Sequence, residues 1–216
     1  MTLWKTLVMS RLLPDDQVCE AYCDTRSNVL ELLKTTSEDS ATSIVPACPA
    51  WTVQQTAAHL VGVPEDLLAG RMEGITTDAW TDAQVRRHSG ESLLDLAAAL
   101  EATIAEFDVM LPAIPSPSNS QMVMDAVTHE IDLREALGLP VPETSLAVRV
   151  ALAWLLDMVD RRAPEHAGRL AVDGVSDLAM LRALTGRLSP STMDELGLPG
   201  SAIAIALEGT PLRPPA

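Results

Sequence analysis

Asp125-Ala-Val-Thr-His129-Glu-Ile-Asp132-Leu-Arg134-Glu-Ala-Leu-Gly138 is the stretch on which the reading of this chain turns. Projected as a helix at about 100° per residue, it puts Asp125, His129 and Asp132 on one stripe with Met122, Ala126, Leu133, Ala136 and Leu137. Glu130, Arg134 and Glu135 fall outside that stripe. Three ionisable groups therefore share an apolar face. Burying an unpaired carboxylate is costly or drives its pKa upward, so the placement calls for a compensating partner. A divalent cation is one such partner, and the i, i+4 spacing of Asp125 and His129 lets both side chains converge on a single ion. The same spacing also suits a hydrogen-bonded core pair. A second imidazole favours the metal: His59, close to Leu60 and Val63 on an earlier apolar helix face, completes a two-His, one-carboxylate set of the kind found in open metal sites.

Working outward, the helix is expected over residues 119–137, ended by Gly138 ahead of Pro140 and Pro142. Pro14-Asp15-Asp16 opens a first helix, in which Val18, Tyr22, Val29, Leu32 and Leu33 recur at helical spacing until residues 35–40 break it. Thr52 and Gln55 form a capping-box pattern for a second helix, which passes through His59, kinks or restarts at Pro64 and runs to about Arg71. A loop at 74–89 carries Trp80 and an exposed Arg86-Arg87-His88. A third helix over 92–110, a proline-rich loop at 112–118 and a fifth helix over 144–162 complete the series. Beyond Pro164, Arg169-Leu-Ala-Val172 and Ala202-Ile-Ala-Ile-Ala-Leu207 read as short strands around helical 177–185 and 191–196. The expected fold is mainly α. An N-terminal extension at 1–14, with Met9 as an alternative start, precedes a metal-binding bundle at 15–142 that is completed by 143–163, and a small C-terminal α/β appendage occupies 164–216.

Acidic residues outnumber basic ones by 30 to 15, and the basic ones are scattered. Such a surface repels phosphate backbones, so no nucleic acid is expected as a partner. The longest apolar runs fall short of the roughly 20 residues of a membrane helix, and the apolar start is interrupted by Lys5 and Arg11. No membrane association is expected. Three cysteines give no disulfide framework, and the cytoplasm is the expected location. Cys19 and Cys23 stand at i, i+4 but read as small apolar helix residues. Cys48 precedes the second helix, within reach of the site, and reads as a packing residue. His88 and His166 read as solvated, and Trp51 and Trp154 as core or loop anchors.

Several spaced motifs carry a family resemblance. Pro46-Ala-Cys-Pro-Ala-Trp51-Thr-Val, Ala58-His59-Leu60, Asp66-Leu-Leu-Ala-Gly-Arg71 and the stretch from Asp125 to Gly138 together resemble the mycothiol-dependent maleylpyruvate isomerase family of the DinB-like superfamily. Leu181-Arg182-Ala183-Leu184-Thr185-Gly186-Arg187 is similar to part of that family's C-terminal region, and the match spans most of residues 15–190. The resemblance implies a DinB-like four-helix bundle in which His59, Asp125 and His129 hold a divalent metal, zinc first among the candidates. It also implies mycothiol or a similar low-molecular-weight thiol. Asp125 stands where the family carries a glutamate, and its shorter arm brings Asp132 into play as an outer partner or alternative ligand. The segment between Leu170 and Leu181 is shorter than the family's C-terminal domain, whose strands help form the thiol pocket. The implied activity is a metal- and thiol-dependent isomerase or S-transferase acting on a small electrophilic molecule, with Arg134 and Arg187 as candidates to meet an anionic substrate. The competing expectation is a non-catalytic metal-binding bundle with an interaction or sensing role. In either case the chain is expected to be a monomer or a homodimer.

Overall fold

The structure is a computed structural model that describes residues 11–164, 170 and 174–214. Helix α1 (Asp15–Thr35) carries Asp15 and Asp16 in its first turn, where the helix dipole favours negative charge. A short antiparallel hairpin of β1 (Ile44–Val45) and β2 (Cys48–Thr52) follows. Helix α2 (Val53–Leu68) starts with the full capping box: Thr52 Oγ1 accepts from the Gln55 amide at 3.2 Å, and Gln55 Oε1 accepts from the Thr52 amide at 2.9 Å. It continues through Pro64 as one helix rather than restarting. Then come α3 (Asp78–Arg87), α4 (Leu93–Met110), α5 (Ser118–Ala136) and α6 (Leu146–Arg162), followed by the shorter α7 (Asp177–Leu184), α8 (Pro190–Glu195) and α9 (Gly200–Leu207). No described helix is long and apolar enough to cross a membrane.

Four helices surround a common core: α1 and α2 each pack against both α4 and α5. Leu33, Leu93, Leu96, Phe107 and Leu133 are fully buried within it, and each such side chain contributes about 2 kcal/mol relative to exposure. Helix α6 covers α5 and α1, and α7 and α9 pack on α6. At the N-terminal side, Leu12 and Leu13 pack on the core, and Arg11 Nε donates to Asp160 at 2.7 Å.

The structure corrects several expectations. The described C-terminal residues form helices and no strand, so the α/β appendage is replaced by α7 to α9. The alternating Ala202 to Leu207 run admits a helical period as well, and alanine favours it. Coiled into α9, it buries Ile203, Ala206 and Leu207 while leaving Ile205 58 % exposed. The other expected strand, at 169–172, lies outside the described residues except for Leu170, which is buried; His166 lies outside them too. Residues 74–89 carry α3, N-capped by Thr77, where a loop was expected. Glu130, outside the stripe, is buried as well, because α1 and α6 also pack on α5, and Arg134 answers its charge at 2.8 Å.

Candidate metal centre

Helices α2 and α5 bring His59, Asp125 and His129 together inside the bundle. His59 Nε2 lies 3.1 Å from Asp125 Oδ2, and His129 Nε2 lies 3.8 Å from Asp125 Oδ1. One ligand atom from each residue lies within 4.8 Å of the other two, and the imidazoles meet edge-on with centroids 5.1 Å apart. Nitrogen and oxygen ligands around one tetrahedral zinc stand roughly 3.3 Å from one another. The three side chains therefore fit a shared ion with small adjustments.

Both rings are held from behind. His59 Nδ1 donates to Gln84 Oε1 at 2.8 Å, and Gln84 Nε2 donates to Asp66 Oδ2 at 2.9 Å. Asp66 Oδ1 accepts in turn from Arg71 Nε at 2.5 Å and Arg87 Nη2 at 2.6 Å. Because the Gln84 amide must turn its N–H to a carboxylate, its oxygen faces the imidazole, which fixes the proton on Nδ1 and turns the Nε2 lone pair toward Asp125. His129 Nδ1 donates to Asp132 Oδ2 at 3.0 Å. Asp132 is gripped by Arg187 through Nη2 at 2.6 Å and Nε at 3.3 Å, while Arg187 Nη1 donates to the Thr185 carbonyl at 2.6 Å. Gly62 makes the first relay possible: a Cβ there would stand 2.5 Å from Gln84 Cβ. Trp51 on β2 flanks both imidazoles, with ring centroids 5.4 and 5.7 Å away.

The electrostatics match this geometry. Burial works to lower the His59 pKa, but the Asp125 charge, the hydrogen bonds to Asp125 and Gln84, and the Asp66 charge outweigh it, so the group is raised above 6.5. Burial pushes Asp125 upward, yet His59, His129 and Arg187 hold it down at about 2. Asp132 is also held at about 2, since its bonds to His129 and Arg187 overcome its burial. A proton on His59 thus does for Asp125 what a cation would do.

A second set, Cys48, His129 and Asp132, also has ligand atoms within 4.8 Å of one another. It is the weaker set. Burial pushes the Cys48 thiol up to about 11, against the pull of Arg187. Arg187 Nη2 lies 3.6 Å from Cys48 Sγ and already holds Asp132, so a cation placed there meets a like charge.

Of the residues singled out in the sequence, His59, Asp125 and His129 converge, Asp132 stands behind His129, and Arg187 stands behind Asp132. Arg134 lies elsewhere, on Glu130 and the Pro140 carbonyl. His88 is buried, not solvated: its ring bridges Glu65 at 3.0 Å and Glu91 at 2.9 Å. Sequence reasoning missed Gln84 and the place of Trp51 beside the rings. The one local sign of the helix that carries Gln84 is the Thr77-Asp78 start signal. No family model matches the chain, and no curated protein or solved structure matches it significantly. The centre is therefore read from its own geometry.

Proposed function

We propose that the chain is a divalent-metal enzyme of the mycothiol-dependent maleylpyruvate isomerase type, built as a DinB-like four-helix bundle and working in the cytoplasm. Its ion is zinc, and its partners are a low-molecular-weight thiol and a small electrophilic molecule. The observation that carries this reading is the pair of imidazoles that present Nε2 to one carboxylate, each with Nδ1 held from behind. A structural zinc site is normally closed by four protein ligands. Here the set comprises three residues among those described, and the Asp125 side chain keeps 35 % of its exposure, which supports an open position for a further ligand. A divalent ion bound there would lower the pKa of a coordinated thiol and keep it as a nucleophilic thiolate at neutral pH.

The protein's own groups prepare that position. Gln84 and Asp132 fix the ring tautomers, and Trp51 walls the rings on one side. Arg187, with Nε, Nη1 and Nη2 engaged, keeps Asp132 ionised and in place. The test uses protein purified without a histidine tag, loaded with zinc and titrated with mycothiol. One equivalent of zinc, proton release on thiol binding and thiol-dependent turnover of an electrophile are expected, either isomerisation of maleylpyruvate with the thiol returned or consumption of thiol in a transfer, and His129→Ala abolishes all three. If the zinc form neither binds mycothiol nor turns over an electrophile with it, the enzyme reading fails and a non-catalytic metal-binding bundle remains.

A further inference from the structure

Two short helices stand behind the two imidazoles, and different forces seat them. α7, which leads to Arg187 behind Asp132 and His129, buries Leu178, Met180, Leu181, Ala183 and Leu184. α3 fully buries one residue, Gln84, the polar support of His59. Further polar bonds tie it to α2 and the turn that follows α2. Arg87 donates to Glu65 at 3.2 Å and to Asp66 at 2.6 Å, His88 Nε2 lies 3.0 Å from Glu65, and Trp80 Nε1 donates to the Arg71 carbonyl at 2.9 Å. Such bonds can be exchanged for bonds to water at small net cost, and a helix with few buried apolar groups opens locally before the core does. The loop that leads into α3 also carries strain, because Thr76 is held at φ 67°, a left-handed conformation costly for a β-branched residue.

We propose that α3 is an ion-responsive latch: it is held over the back of His59 while a divalent ion sits on Nε2, and it lifts more readily when the ion leaves. The proposal rests on the metal centre of the reading above and not on its thiol chemistry. An ion on Nε2 leaves the ring only Nδ1 for its proton, so the donor that the buried Gln84 oxygen needs is always present. Without the ion the neutral ring has a second choice, its proton on Nε2 against Asp125 Oδ2 at 3.1 Å, and in that form Gln84 has no donor. Lifting α3 frees Gln84 for water and permits that form. The coupling is reciprocal: whatever factor the ion adds to the seating of α3, a seated α3 adds to the affinity for the ion.

The test follows amide hydrogen exchange in the full tag-free chain, in chelator and in saturating zinc, with zinc content measured on the same samples. In chelator the hydrogen-bonded amides of α3 are expected to exchange ahead of those of α4. Zinc should slow α3 exchange about tenfold, the factor by which loss of an outer partner weakens the ion. Gln84→Ala cuts the link, so in that variant zinc should no longer slow α3, and zinc affinity should fall by the same factor. An α3 that exchanges no faster than α4 in chelator, an α3 indifferent to bound zinc, or slowing that persists in folded Gln84→Ala would each overturn the proposal. If that variant does not fold, the native comparison decides alone. Bound zinc with an indifferent α3 removes the latch and leaves the metal centre standing, whereas no bound zinc removes both.

Discussion

His59 and His129 both turn Nδ1 away from Asp125, yet His59 leans on the Gln84 amide at 2.8 Å and His129 on the Asp132 carboxylate at 3.0 Å. The amide is neutral and passes the interaction on to Asp66, itself balanced by Arg71 and Arg87. The carboxylate acts directly and is balanced by Arg187. A negative partner on Nδ1 strengthens an imidazole as a metal ligand more than a neutral one does. His129 is therefore the firm half of the centre and His59 the adjustable half. The supports also differ in origin: Asp132 is three residues along the same helix, whereas Gln84 reaches in from α3 over Gly62.

That asymmetry can be broken in graded steps. Replacing the ligand itself, His129→Ala, should cost more zinc affinity than any outer change, beyond the roughly 10–100-fold range of such partners, as read by competition with a chromophoric chelator. Asp132→Asn should come next, near the upper end of that range. It should also cost about 3 kcal/mol of stability in urea unfolding, because Arg187 loses its buried counter-charge. Gln84→Ala should weaken zinc about tenfold, less than Asp132→Asn; a larger loss at Gln84 would reverse the order of the two halves. Gly62→Ala, which pushes Gln84 off its seat, should weaken zinc less than Gln84→Ala does.

The smallest effect is on pH dependence without metal. The His59 pKa is raised in the folded state, so its contribution is fully present below about 6.5 and is lost as pH rises through the higher folded value. Asp125 is lowered to about 2, so its contribution is present above 3.8 and is lost as pH falls toward 2. The thermal midpoint in chelator should therefore decline as pH rises above about 6.5, and His59→Gln should flatten that decline. A zinc-loaded sample should not show it, because the ion replaces the proton.

Much of this was legible along the chain where the cause was local. The acidic start of α1 and the Thr52 and Gln55 box mark true helix starts. Asp125, His129 and Asp132 share a face because their spacing on one helix requires it. His59 could be joined to them only by its chemistry, since nothing local says which helix faces which. Gln84 was invisible for the same reason: its role comes from a close approach of two backbones at Gly62. The burial of Glu130 was not legible because a helical projection shows one covered face, and α5 has neighbours on several sides. In α9 the Ala-Ile alternation satisfied two periods at once, and packing against α8 and α7 chose the helical one.

X-ray absorption at the zinc edge of the tag-free, zinc-loaded chain reads the centre most directly. One ion per chain is predicted, with nitrogen and oxygen neighbours, the scattering pattern of two imidazoles and no sulfur, unchanged in Cys48→Ser. A sulfur neighbour at about 2.3 Å would hand the ion to Cys48, His129 and Asp132, and a spectrum with fewer than two imidazoles, or no bound zinc, would contradict the centre outright.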